Sequence, residues 1–330
     1  MAYQTGTSAN PDQLLDALRV FAVANGWTQL RWAPDGTGQT LSLAKGGLYV
    51  HLRSAVNERL STRYNTITGI WLIGSTGFDA GKPWWDQPGS IVNASYVSNT
   101  TSYRAEACGL FEVGTANTYH LLSAATPELI MLVAEVSPGV YHHLAFGDLT
   151  KFGSYGGGAF VSGAFGPDAY TYTYSGFTDY VFGYDHDRHF GLPFNDYKYY
   201  GGANFVLAEV DGATDWHSVC KDWALTGKRA KALWERGTGT PRDSLARYWW
   251  GHVPNTLNGV TPMLPFYLFV ARPSGFFSPF GFTPHLRYLN ITHYAPAEVF
   301  ALGAEQWMAF PAHSKNGKSG VHSYAVRLIP

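Results

Sequence analysis

Near the start of the chain, apolar residues recur at helical spacing. Leu14, Leu15, Leu18, Phe21 and Ala22 share one face of a single helix. Its ends are marked as well. Asn10 can accept from first-turn N–H groups, Pro11 suits the first helical position, and Asp12 lies at the positive end of the helix dipole. Asn25-Gly26 supplies a left-handed stop. Beyond it the period falls to two. Trp27–Trp32, Thr40–Lys45 and Leu48–Ser54 read as a three-stranded meander, turned at Asp35-Gly36-Thr37-Gly38 and at Gly46-Gly47. Residues 1–60 are thus expected to form a helix-plus-meander docking module.

Residues 61–150 read as an antiparallel β domain. Ile67–Gly74, Tyr119–Ser123, Leu129–Val136 and Val140–Phe146 have strand character, with a turn at Ser137-Pro138-Gly139. A polar loop, Gly77–Gly89, carries Trp84 and Trp85. Gly47-Leu48-Tyr49-Val50-His51-Leu52 and Gly139-Val140-Tyr141-His142-His143-Leu144 are similar, through an internal duplication or, on the stronger reading, the chance recurrence of a turn glycine before β-formers. Residues 151–330 read as a loop-rich β domain. Gly156-Gly157-Gly158, Tyr170–Tyr174 and Asn195–Gly202 are poor in aliphatics, and loops of this length usually bind something or pack on a partner. Trp216–Leu225 reads as a short helix and Thr226–Asp243 as a basic connector. After Met263 the strands are punctuated by Pro265, Pro273, Pro279, Pro284 and Pro296, which confines them to sheet edges or arms. Gln306–Phe310 and Val321–Ile329 close the chain. The expected fold is mainly β, α+β at the N-terminus, with antiparallel sandwich- or barrel-like domains and long loops.

Composition adds a constraint. Only 14% of the 330 residues are charged, against about 25% in a typical soluble domain, while 16% are aromatic. Spread over the surface expected for this mass, that is about one charge per 290 Å². Uncharged polar loops or a neighbouring protein must cover much of the molecule. The net charge of −1, from 23 basic and 24 acidic residues, gives no basic stripe for nucleic acid. No apolar run approaches the ~20 residues of a membrane span. Asp12, Asp16 and Arg19 interrupt the first apolar stretch and no basic n-region precedes it, so no signal peptide is expected. Cys108 and Cys220 give no disulfide framework and are expected to be reduced.

Motifs for chemistry are sparse. No phosphate-binding loop, zincin or nucleophile-elbow pattern occurs, and no cofactor is expected. Asp185, His186, Asp187 and His189 supply nitrogen and oxygen donors that suit zinc, but a hydrated loop tip with Arg188 paired to an aspartate is the stronger reading. Glu135 and Glu209 lie in strand-like apolar contexts where burial would raise a carboxyl pKa; a place on the solvent side of each strand is the stronger expectation. His142 and His143 alternate across one strand and cannot easily share a metal; one is expected to be half-buried. Trp84, Trp85, Tyr197, Tyr199 and Tyr200 could stack on sugar rings, or, as favoured here, anchor a protein interface.

Several segments together resemble structural proteins of tailed bacteriophages. They are Met1–Thr7 leading into Asp12–Trp27, Lys45–Arg53, Tyr119-His120 through Leu144, and Leu149-Thr150-Lys151 with Gly156–Phe160. Leu264-Pro265 with Phe269–Arg272, Leu302-Gly303 with Trp307–Pro311, and Ser319-Gly320 with Tyr324–Arg327 complete the likeness. The stretch Asp168–Arg242 lies outside it. The resemblance implies a non-enzymatic virion subunit of the tail or baseplate, made in the host cytoplasm, with no active-site residue carried over. Its implied partners are other tail or baseplate proteins and copies of itself in three-fold or six-fold symmetry. A tail-tip receptor or host-glycan binder and a head or neck decoration protein are the alternatives. A wall-degrading enzyme ranks last, because no carboxylate pair stands out.

Overall fold

The computed structural model describes residues 1–58, 67–91, 107–111, 113–164, 204–219, 229–232, 257–272, 277–317 and 321–329. The N-terminal segment contributes β1 (Ala2–Ser8), α1 (Pro11–Ala24), β2 (Thr28–Asp35), β3 (Gly38–Lys45) and β4 (Leu48–Glu58). Next come β5 (Ile67–Ser75), β6 (Cys108–Phe111), β7 (Asn117–Ala125), β8 (Glu128–Ser137) and β9 (Val140–Asp148). The short β10 (Thr150–Lys151) precedes β11 (Gly157–Gly163), β12 (Asn204–Val210), β13 (Ala213–Val219) and β14 (Arg229–Ala232). The last strands are β15 (Leu264–Ala271), β16 (Phe277–Asn290), β17 (Val299–Leu302), β18 (Glu305–Pro311) and β19 (His322–Ile329). The fold is mainly β, as expected.

Local signals set the helix. Asn10 Oδ1 accepts from Gln13 N at 2.9 Å, and Gly26 takes the left-handed turn at φ +85°. Leu14, Leu15, Leu18, Phe21 and Ala22 are buried, each large side chain contributing roughly 1.5–3 kcal/mol. They pack on a five-stranded sheet ordered β2-β3-β4-β5-β6.

The other strands form a fourteen-stranded sheet that runs β1-β7-β8-β9-β11-β12-β13-β14-β15-β16-β19-β18-β17, with β10 paired to β16. It curls over on itself. Tyr141 N donates to His313 O at 2.8 Å, and a bridge joins Val140 to Ser314. Strands β7 to β9 are consequently covered on both sides. Ile130, Leu132 and Ala134 face a core shared with α1 and the smaller sheet, whereas Leu129, Met131 and Val133 face a core shared with β15, β16, β18 and β19. A strand buried on both faces reads as the continuous apolar run seen at 129–136. His142 and His143 are both fully buried, rather than one half-buried, for the same reason.

The two similar sequence segments start the second strands of hairpins β3–β4 and β8–β9, which lie in different sheets. Val50 and Leu52 from one and Leu144 from the other enter the same core.

Two further expectations change, and one strand appears that the sequence did not announce. Residues 2–8 form an edge strand, β1, paired with β7 from Ala2↔Ser123 to Ser8↔Asn117. Trp216–Val219 is strand rather than the start of a helix. Asp211 (φ 52°) and Gly212 (φ 81°) make a two-residue hairpin turn that fixes β13 against β12, and Trp216 then alternates into the core. Residues 220–225 of that expected helix lie outside the described residues. The prolines of β15 and β16 sit in interior strands rather than edges. The register shifts between Pro265 and Phe266 and again opposite Pro279, so the missing donors fall at bulges.

Candidate interaction surfaces

Of the aromatic residues singled out from sequence, Trp84 and Trp85 are described, and they do not form an open surface. Trp84 is buried, at 3% exposure, and Trp85 is half-buried. Their loop is well braced. Gln87 Oε1 accepts from Asp79 N, and its Nε2 donates to the carbonyls of Asp79, Lys82 and Pro83. Arg31 donates to the Ala80 and Lys82 carbonyls from the sheet below, and Trp216 Nε1 reaches the Gly89 carbonyl at 3.0 Å. Tyr197, Tyr199 and Tyr200, like Asp185, His186, Asp187 and His189, lie outside the described residues.

The candidate acids have structural tasks. Glu135 Oε1 accepts from Gly139 N at 2.7 Å and closes the β8–β9 turn, and it helps push the Tyr141 phenol up to about 12, behind the larger effect of burial. A carboxylate oxygen of Glu209 accepts from Gly156 N. The Cys108 thiol is buried and donates to Leu72 O at 3.3 Å; burial pushes its pKa upward, away from a nucleophilic thiolate. Among the described residues, no group of three His, Cys, Asp or Glu is arranged to hold a metal ion. No helix among them is long and apolar enough to cross a membrane.

Two edges of the long sheet are different. β1 reads Ala-Tyr-Gln-Thr-Gly-Thr-Ser and β17 reads Val-Phe-Ala-Leu, with neither a charge nor a proline in either. Among the described residues each pairs on one side only, β1 with β7 and β17 with β18. Tyr3 is 42% exposed, Val299 47% and Leu302 51%. Sheet edges normally carry Lys, Pro or a bulge to prevent pairing with another chain. The edge strand of the smaller sheet does so: β2 contains Arg31, Pro34 and Asp35, and a register shift between Gln29 and Arg31.

A third surface lies on the outer side of β15 and β16. Phe152, half-exposed, stands 5.7 Å from Phe282 and 5.9 Å from Tyr267, and those two rings are 5.7 Å apart. Separately, Leu257 and Val260 are exposed apolar side chains in the loop before β15. Sequence reading missed these residues because Phe152 precedes a glycine-rich loop and meets its partners only through the pairing of β10 with β16. The apolar, charge-free texture of Val299–Leu302 was the available signal for β17.

No protein-family model matches the chain, and no curated protein matches it.

Proposed function

We propose that the chain is a non-enzymatic structural subunit of a bacteriophage virion, in the tail or baseplate, acting through protein–protein assembly. The observation that carries this reading is the pair of uncharged edge strands, β1 and β17, which among the described residues stand unpaired on their outer sides at the two ends of the long sheet. A neighbouring chain can add a strand to either, gaining main-chain hydrogen bonds with side-chain pockets for register. The low charge of the whole chain fits the same role, because charged residues are depleted at interface cores. The resemblance of the sequence to tailed-phage virion proteins supplies the particle. Copies of the chain would lie in the three-fold or six-fold positions of a tail assembled in the host cytoplasm.

The reading is tested by mass spectrometry of gradient-purified particles of the phage that encodes the chain, together with the variant Leu302→Lys. The chain is expected in the particle at a fixed copy number. Leu302→Lys is expected to melt like the parent while failing to incorporate. Absence of the chain from purified particles overturns the proposal, and so does full incorporation of variants charged at both edges.

A further inference from the structure

An asparagine followed by glycine is exposed to attack by its own backbone. Glycine has no Cβ to shield its nitrogen or to restrict the approach of that nitrogen to the asparagine Cγ. Each such pair can modify itself unless the fold holds its atoms in place. The chain has three: Asn25-Gly26, Asn258-Gly259 and Asn316-Gly317.

Two of them are held. At the end of α1, Gly26 N donates to Val23 O at 3.0 Å and Asn25 Nδ2 donates to Phe21 O at 2.8 Å. Lys45 Nζ donates to the Asn25 carbonyl at 2.9 Å and fixes the peptide between the two residues. Gly317 N donates to Ser314 O at 3.1 Å. A nitrogen whose proton is engaged in this way gives it up less readily and cannot swing towards Cγ.

Asn258-Gly259 differs on every count. Residues 257–260 are exposed throughout, and Gly259 N has no hydrogen-bond partner among the described residues. The space beside it is open, since a Cβ placed on Gly259 would reach only His293, at 4.0 Å. Asn258 Oδ1 accepts from Val260 N at 3.0 Å. That bond turns the carboxamide along the chain past Gly259 and draws electron density from Cγ, the atom to be attacked.

We propose that Asn258 is a site of spontaneous deamidation in the folded chain. Gly259 N loses its proton to hydroxide and attacks Asn258 Cγ. The N–Cγ bond forms, the Cγ–Nδ2 bond breaks, and Nδ2 leaves as ammonia with a proton taken from water. Water then opens the cyclic imide at either carbonyl, giving aspartate or isoaspartate. The net reaction consumes one water and releases one ammonia. Either product places a new carboxylate between the exposed Leu257 and Val260. Isoaspartate also routes the backbone through Cβ and so lengthens it just ahead of β15. The chemistry needs only the folded chain, so it stands or falls separately from virion assembly.

The test is incubation of the folded full chain in mildly alkaline buffer, beside a sample held in guanidinium chloride. Peptide-mapping mass spectrometry and labelling by isoaspartyl methyltransferase then follow each site. In the folded chain Asn258 is expected to convert on the order of ten-fold faster than Asn25 or Asn316, the rate ratio that one hydrogen bond on the attacking nitrogen sets. In denaturant that ranking is expected to disappear. Gly259→Ala, which shields the nitrogen with a Cβ, is expected to remove most of the label at 258. Asn258 left intact in the folded chain overturns the proposal, as do equal rates at all three sites. Persistence of the same ranking in denaturant, or full labelling of Gly259→Ala, overturns it as well.

Discussion

His51 is wholly buried, and its two nitrogens have unequal partners. The Ser75 hydroxyl donates to Gly77 O at 2.6 Å and so accepts from His51 Nε2–H at 2.8 Å. Nδ1 in turn accepts from the Ser42 hydroxyl at 2.9 Å. The ring is held neutral. Burial first, and the nearby Arg31 charge second, bring its pKa from 6.5 down to about 3. The unfolded chain therefore binds a proton in that window that the folded chain refuses, and stability falls as pH drops from 6.5 towards 3. Burial lowers His120 and His285 in the same sense, and the depressed Glu58 carboxyl adds a loss on acidification, whereas the raised Asp148 opposes it. Urea melts across this range should show stability lost on acidification, with His51 alone accounting for on the order of 4 kcal/mol. His51→Asn should flatten the profile.

Arg53 is the other buried centre of that sheet, 2% exposed, ion-paired with Glu58 at 2.6 Å and with Asp35 at 3.1 Å. Arg53→Ala leaves the Glu58 carboxylate without its cation and should cost about 3 kcal/mol in a chemical melt. Neither network could be read from sequence. Strand alternation places His51 and Arg53 on one face of β4, but the covering loop and the partners at 42, 58 and 75 come from register and loop path.

Elements whose signals are local were legible. Helix α1 starts and stops where its cap residues place it, and Asn10→Ala should lower the melting stability by about 1 kcal/mol, as loss of an N-cap does. Hairpins with glycine turns, β3–β4 and β8–β9, were equally plain. What failed needed pairing information. β1 has no apolar alternation to announce it; it exists because β7 offers it an edge. β15 and β16 carry prolines that argue for edges when taken alone, yet bulges absorb them in the interior. Close packing sets a further constraint at β9. A Cβ on Gly147 would collide with the Glu128 carbonyl oxygen on the neighbouring strand, so Gly147→Ala should separate β8 from β9 and cost more than an ordinary surface change, which is within about 0.5 kcal/mol. Thermal denaturation beside a surface control checks this.

Among the described residues the long sheet divides two large hydrophobic cores, with a smaller cluster around Leu289, Ile291 and Trp307, and each large core draws on distant parts of the chain. Phe205 and Trp216 join α1 in one, and Leu122 joins Tyr324 in the other. Among the described residues such non-local pairing leaves the two ends of the sheet open, and those end strands hold no charge. The low charge density legible in the composition thus acquires places: β1, β17 and the Phe152–Tyr267–Phe282 face. Composition could say that uncharged loops or a partner must cover surface, whereas sheet order shows which uncharged strands stand at the edges. The central claim is that neighbours in the virion pair with these edges. A cryo-EM map of the intact phage particle tests it most directly. The account predicts this chain within the tail or baseplate, with a strand of another subunit laid against β1 or β17. A particle that lacks the chain, or shows both edges facing solvent, would contradict it.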